Sequence, residues 1–152
     1  MATKTEKLAK IYLEGTPAEI SEETSAEFCE LIMSEFKALP FAVQASDSMR
    51  YETVEELFAD IEKEHLWVSL ETYGADFYPN PFYGFAFLAV HDYDHYLSHS
   101  DFTLEGEIKA YRTIASRFPS LDMQKILYSE IVLKSAAHIY LGHTPEPKLV
   151  FA

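Results

Sequence analysis

Phe82-Tyr83-Gly84-Phe85-Ala86-Phe87-Leu88-Ala89-Val90-His91-Asp92-Tyr93-Asp94-His95-Tyr96-Leu97-Ser98 is an apolar run that turns into a cluster of histidines and carboxylates, with no proline, lysine or arginine inside it. Wound as a helix at about 100° per residue, it places His91 and His95 only about 40° apart. His99 falls at about 80° and Asp92 at about 100° from His91 on the same wheel. Gly84 and Leu88 lie on that arc one and two turns earlier, so the stripe faces inward. Imidazole and carboxylate together are the donors that divalent transition metals bind. The segment therefore predicts a buried helix that carries a metal site.

The next helical pattern, residues 103–118, supplies a further donor. Leu104, Ile108, Tyr111, Ile114, Ala115 and Phe118 form its apolar stripe, and Glu107 falls within that stripe while Glu105 points nearly opposite. A carboxylate on a buried face needs a cation, a metal or a strong donor to offset its desolvation. A tyrosine or arginine inside the core could fill that role for Glu107, but its place one short turn after His95 makes a shared metal the sharper reading. His91, Asp92, His95 and Glu107 are the candidate ligands. Asp92 is the least comfortable, since adjacent helical residues diverge by about 100°; it serves as a fourth ligand or as an acceptor for an imidazole N–H.

The rest of the chain is helical in pattern. Residues 3–13 form a short amphipathic helix ending at Gly15. Thr16-Pro17-Ala18-Glu19 and Thr24-Ser25-Ala26-Glu27 are two capping boxes, and the second helix starts at one of them and runs to about Ala38 before Pro40. Its inward face carries Phe28, Leu31, Ile32, Phe36 and Leu39, with Glu35 among them. Thr53-Val54-Glu55-Glu56 caps a third helix reaching His65. Leu66 to Leu70 reads as a short strand or as the tail of that helix. Tyr73, Phe77, Tyr78, Pro79 and Pro81 make an aromatic loop, a core plug or the wall of a pocket. Residues 120–141 form the last helix, stopped by Gly142 and Pro145. The expectation is a single all-α domain over residues 1–152, five or six helices in an irregular bundle, with 143–152 as a short C-terminal tail.

Within the last helix, Met123, Leu127, Ile131 and Leu141 share an arc with Glu130, Lys134 and His138. Glu130 and Lys134 can be an ordinary i,i+4 pair, and His138 a core histidine. Both Glu130 and His138 are candidates for proton transfer or for supporting the ligands.

Composition narrows the function. Twelve basic against twenty-five acidic side chains give a net charge of −13, which repels nucleic-acid backbones and anionic membranes and favours cations. The lone Cys29 sits among core residues of a helix and leaves no disulfide framework. No signal peptide and no membrane-length apolar run are visible, so a cytoplasmic protein is expected. Amphipathic helices serve cores and interfaces alike, so the pattern fixes no oligomeric state.

His91-Asp92-Tyr93-Asp94-His95, eleven residues, then Glu107 is a spacing that resembles the metal-binding signature of the ubiquinone-biosynthesis family known as the fourth coenzyme Q protein. The likeness runs from His91 to Ala110 and includes the Gly106-Glu107 pair. It implies an all-α fold, a divalent metal, usually zinc, on the residues matching His91, Asp92, His95 and Glu107, and a quinone-like or isoprenoid lipid nearby. Iron or manganese would suit the same donors. No basic amphipathic docking helix accompanies the motif here.

Other constellations compete. His65, His91, Asp92 and Asp122 would be the set of an HD-type phosphohydrolase, with a metal-generated hydroxide attacking a phosphoryl group. Glu62-x-x-His65 and Asp92-x-x-His95 with Glu107 and Glu130 would make a carboxylate-bridged two-metal bundle. A non-enzymatic binding protein, with a structural metal or none, would use the histidines in a core network with the hydroxyls of Tyr73 and Tyr111. If the protein is an enzyme, the chemistry expected is of lyase or hydrolase type, on a small molecule bearing a carboxylate or carbonyl, or on a lipid-like one.

Overall fold

Helix starts in this chain are set by side-chain caps. The computed structural model describes residues 2–69, 78 and 80–152. Helix α1 (Lys4–Glu14) begins at Thr3, whose hydroxyl accepts the Glu6 N–H at 3.1 Å, and ends at Gly15. A Cβ on Gly15 would stand 2.5 Å from both the Ile11 carbonyl and the Val150 side chain. Helix α2 (Glu22–Lys37) begins at neither expected box. Ser21 is the cap, accepting the Thr24 N–H at 3.0 Å, and this start places Glu22 and Glu23 against the positive end of the helix. Residues 16–20 are drawn away from helix by Ala18, whose N–H donates to the Leu149 carbonyl at 2.7 Å.

A small departure from pure helix follows. Strands β1 (Ala42–Ser46) and β2 (His65–Ser69) pair in parallel, Ala42 opposite His65 through Ser46 opposite Ser69. Parallel strands need a crossover, and helix α3 (Val54–Glu62), capped by Thr53, supplies it. Leu66 and its neighbours are thus strand, one of the two readings the sequence allowed. The partner strand β1 was not expected, because only Ser46 in it is buried and its alternation carries no signal. His65 holds this unit together, with Nδ1 2.8 Å from Asp60 Oδ2 and Nε2 on the Gln44 side-chain oxygen. The Tyr51 hydroxyl donates to the same Asp60 carboxylate and accepts the Trp67 N–H.

Helix α4 (Pro81–Ser98) is the central element, with Asn80 as cap and Pro81 in its first turn. It is apolar nearly all round, the mark of a buried helix. Phe85 and Ala89 pack on Leu57, Ile61, Leu66 and Val68 of the β–α–β unit. Ala86, Phe87 and Val90 face the larger core with Phe28, Ile32, Ile114, Phe118 and Ile131. Helix α5 (Leu104–Ala115) follows after a short turn. The last helical rod is interrupted: α6 (Leu121–Leu127), a π segment (Tyr128–Leu133) and α7 (Lys134–Leu141) run on end to end. The Lys134 N–H donates to Ser129 O, five residues back, which inserts one residue into the α register. Among the described residues the fold is mostly helical, with the two-stranded sheet as its only strand structure.

The C-terminal residues expected as a tail are part of the interior. Leu149 and Val150 are buried, and Val150 N–H donates to Ser129 Oγ at 2.9 Å. The Tyr12 hydroxyl donates to the Glu146 carbonyl and accepts the Lys148 N–H. Lys148 Nζ donates to the Leu13 and Gly15 carbonyls, closing the end of α1. Leu149→Ala should lower unfolding free energy by about 2–4 kcal/mol. Ser129→Ala should cost about 1–3 kcal/mol by leaving a buried N–H without its acceptor. Urea melts in which both variants lose less than about 0.5 kcal/mol would exclude the C-terminal segment from the cooperative core.

Candidate metal centre

His91, His95 and Glu107 converge because α4 presents two imidazoles one turn apart to the first turn of α5. His91 Nε2 lies 2.9 Å from Glu107 Oε1, His95 Nε2 lies 3.1 Å from that oxygen, and the two Nε2 atoms are 3.2 Å apart. His95 is fully buried and Glu107 is 6% exposed. The triangle resembles one face of a tetrahedral site, whose edges are about 3.3 Å when the bonds are about 2.0–2.1 Å. These three residues form a group able to hold a divalent metal ion.

The tautomer of His95 is set by its surroundings. Its Nδ1 stands 3.2 Å from the Ser100 carbonyl, which can only accept, so Nδ1 carries the proton and donates. Ser100 Oγ accepts from the same N–H at 3.1 Å, while Ser98 Oγ donates to the Asp94 carbonyl. This leaves the Nε2 lone pair aimed at the triangle, an arrangement common behind metal-bound histidines. The turn that brings Ser100 there depends on His99, which adopts φ 51° at the end of α4. His99 is consequently exposed and leaves the arc on which the straight wheel placed it.

Gly106 brings Glu107 into place. A Cβ at residue 106 would overlap the Asp101 carbonyl, so the start of α5 can lie against the preceding turn only with glycine there. Thr103 caps α5 by accepting the Gly106 N–H, and Asp101 in turn accepts from the Thr103 hydroxyl.

The electrostatics hold the carboxylate charged. Burial would raise the Glu107 pKa, but His91 and His95 outweigh it and bring it down to about 2. Burial likewise pushes the His91 imidazole towards neutrality, and the charge and hydrogen bond of Glu107 override it, raising the pKa. Asp92 behaves differently: burial pushes its carboxyl up to about 6. It stands outside the His91–His95–Glu107 group and lines a separate small cavity with Arg50, Tyr51 and Ser69.

A cavity of about 270 Å³ opens on the triangle. His91 and Glu107 form one part of its wall, Phe87, Leu88 and Phe102 the apolar part, and Glu130, Lys134 and His138 another. Glu130 Oε1 is closed off from solvent and has no hydrogen-bond partner among the described residues, and burial raises the pKa of its carboxyl. His138 is exposed rather than a core residue. The π segment carries Glu130, and π turns recur at functional sites.

The rival constellations are not assembled. His65 is engaged with Asp60 and Gln44, Asp122 is exposed in the first turn of α6, and Glu62 is exposed on α3. Tyr111 packs edge-on against Tyr128 rather than joining the histidines, and Tyr73 and Phe77 lie outside the described residues. Sequence reasoning did not single out Ser100 or Phe102, and it named Gly106 only as part of the resemblance, not for the close approach it permits. Comparison with protein-family models, with curated proteins and with solved structures finds no significant match.

Two outcomes are expected. Gly106→Ala should destabilise the protein by about 1–3 kcal/mol and weaken zinc uptake, while Glu105→Ala, on the exposed face, changes neither. Equal zinc titrations for Gly106→Ala and wild type would exclude the close approach as a determinant. Without metal, the lowered Glu107 pKa contributes stability above its unfolded value of 4.5, lost as pH falls towards 2. The raised His91 pKa contributes below 6.5 and is lost as pH rises through the folded value. The metal-free Tm should therefore fall as pH rises above 6.5 and through the folded His91 value, more in wild type than in His91→Ala. Zinc affinity should rise over that interval, because the proton on His91 must leave. Parallel Tm curves for the two proteins would refute the pairing.

Proposed function

We propose that the protein binds one divalent metal ion, zinc first among the candidates, through His91, His95 and Glu107, and uses it in chemistry on a small molecule held in the adjoining cavity. The observation that carries this reading is the convergence of three lone-pair atoms within 3.2 Å of one another at the wall of a cavity. Three protein ligands with a further position towards a cavity is the pattern of reactive rather than structural zinc sites. Two histidines and one carboxylate also suit iron or manganese.

A metal there supplies Lewis acidity to a bound carbonyl or carboxylate, or lowers the pKa of a bound water. The protein's own groups do the rest. Ser100 fixes the His95 ring, Glu107 offsets ion charge, and Phe87 and Phe102 exclude water from the cavity side. Glu130, whose pKa burial raises, is the group placed to deliver or take a proton. His138, at the exposed side, is suited to exchange that proton with solvent. Kinship with the fourth coenzyme Q protein family, suggested by the HDxxH-x11-E spacing, belongs to this proposal as far as the metal ligands are concerned. The reaction class is a metal-dependent lyase or hydrolase.

Elemental analysis of the purified chain should find about one zinc, iron or manganese per molecule. His91→Ala and His95→Ala should remove it, and Cys29→Ser, buried in the core elsewhere, should keep it. A His95→Ala protein with its full equivalent of metal would overturn the assignment.

A further inference from the structure

The cavity beside the triangle combines features that together specify the charge and shape of its occupant. Lys134 is the only lysine or arginine among its described lining residues. The side chain is partly buried and makes no hydrogen bond or ion pair among the described residues. That is unexpected in a chain with twenty-five acidic and twelve basic side chains, where an ammonium group has many possible partners. Glu130 stands one turn earlier but forms no ion pair with Lys134; its buried Oε1 has no hydrogen-bond partner among the described residues, and burial raises its pKa while the Lys134 charge works to lower it.

The charge balance follows. A divalent ion set against the single Glu107 carboxylate, with the Lys134 ammonium on the wall of the same cavity, leaves an excess of positive charge. Such an excess in a largely apolar cavity calls for an anionic ligand. The two positive centres sit on different elements, the ion between α4 and α5 and the ammonium at the start of α7, and Phe87, Leu88 and Phe102 are among the residues that line the same cavity. A volume of about 270 Å³ lies just below the usual range of ligand pockets and suits a molecule of about ten non-hydrogen atoms.

We propose that the cavity takes a small organic dianion, a short-chain dicarboxylate, with one carboxylate on the metal held by His91, His95 and Glu107, the other on Lys134, and an apolar chain between them. This rests on the metal reading above and specifies its ligand class.

The test uses the zinc-loaded full chain and titration calorimetry with succinate, glutarate and adipate, against butyrate, pentanoate and hexanoate, and against inorganic phosphate. At least one dicarboxylate should bind tenfold or more tightly than the monocarboxylate of equal length. Phosphate, a compact dianion that cannot span the two centres, should bind no better than butyrate. Lys134→Gln should reduce the preference below threefold and Lys134→Arg should retain it, each with wild-type circular dichroism and zinc content. Equal binding of mono- and dicarboxylates, a preference unchanged in Lys134→Gln, or phosphate matching the best dicarboxylate would each overturn the proposal. Wild-type protein that takes up no zinc would overturn the metal reading as well. Normal zinc uptake without a dicarboxylate preference would overturn the ligand class alone.

Discussion

The carboxylate of Glu107 is the constraint around which this structure is arranged. A charged oxygen that is nearly shut off from water must meet positive charge or strong donors, or the fold loses several kcal/mol. Here it meets the His91 imidazole at 2.9 Å as its donor, and His95 Nε2, from the same helix, stands 3.1 Å away. That requirement fixes the distance and rotation of α5 against α4. The five residues between the helices are correspondingly constrained. His99 turns the chain with a positive φ, Ser100 offers its carbonyl to His95, Asp101 holds the Thr103 cap, and Gly106 permits the close approach.

Helix α4 can serve as a platform because its own position is fixed on both sides. Phe85 and Ala89 lock it to the β–α–β unit, and Ala86, Phe87 and Val90 to the helical core. Near its end, Asp94 is fully buried and accepts from Arg117 Nη2 at 2.9 Å, while the same guanidinium donates to Glu35 of α2. Burial alone would push the Asp94 carboxyl up, and Arg117 works against that push. This ion pair stands one residue from His95, about 100° round the helix, and ties α2 and α4 to the turn after α5. A ligand pair carried on a helix anchored in this way keeps its geometry more closely than one on a loop.

The sequence disclosed those parts of the structure that follow a strong period. The α4 and α5 patterns are long and consistent, so the inward placing of His91, His95 and Glu107 was readable from the wheel alone. The exceptions each have a local cause. Asp92 diverges from His91 by about 100° and reaches a different cavity. His99 lies beyond the last helical residue, where the wheel no longer applies. Strand β1 has a single buried residue, so burial wrote no alternation into it. The start of α2 was expected at one of two capping boxes, and Ser21 between them is the cap, while Ala18 of the first box is held by a long-range hydrogen bond to Leu149. The π segment is an inserted residue in an otherwise regular rod, which no composition marks, and it is what carries Glu130.

Charge gives the site an order of events. The chain as a whole carries −13, a field that gathers cations and resists anions. At physiological salt that field fades over about 8 Å, so inside the cavity the near groups decide. Before metal arrives, the Glu107 carboxylate is paired with His91 and Lys134 stands alone on the cavity wall, so the first of the two positive centres is missing. After the ion is seated, the local balance becomes positive while the outer surface remains negative. Under the reading proposed here, metal precedes ligand, and the acidic surface and the cationic cavity are complementary rather than contradictory: the first collects the ion, and the second, once loaded, selects an anion small enough to fit between His91 and Lys134.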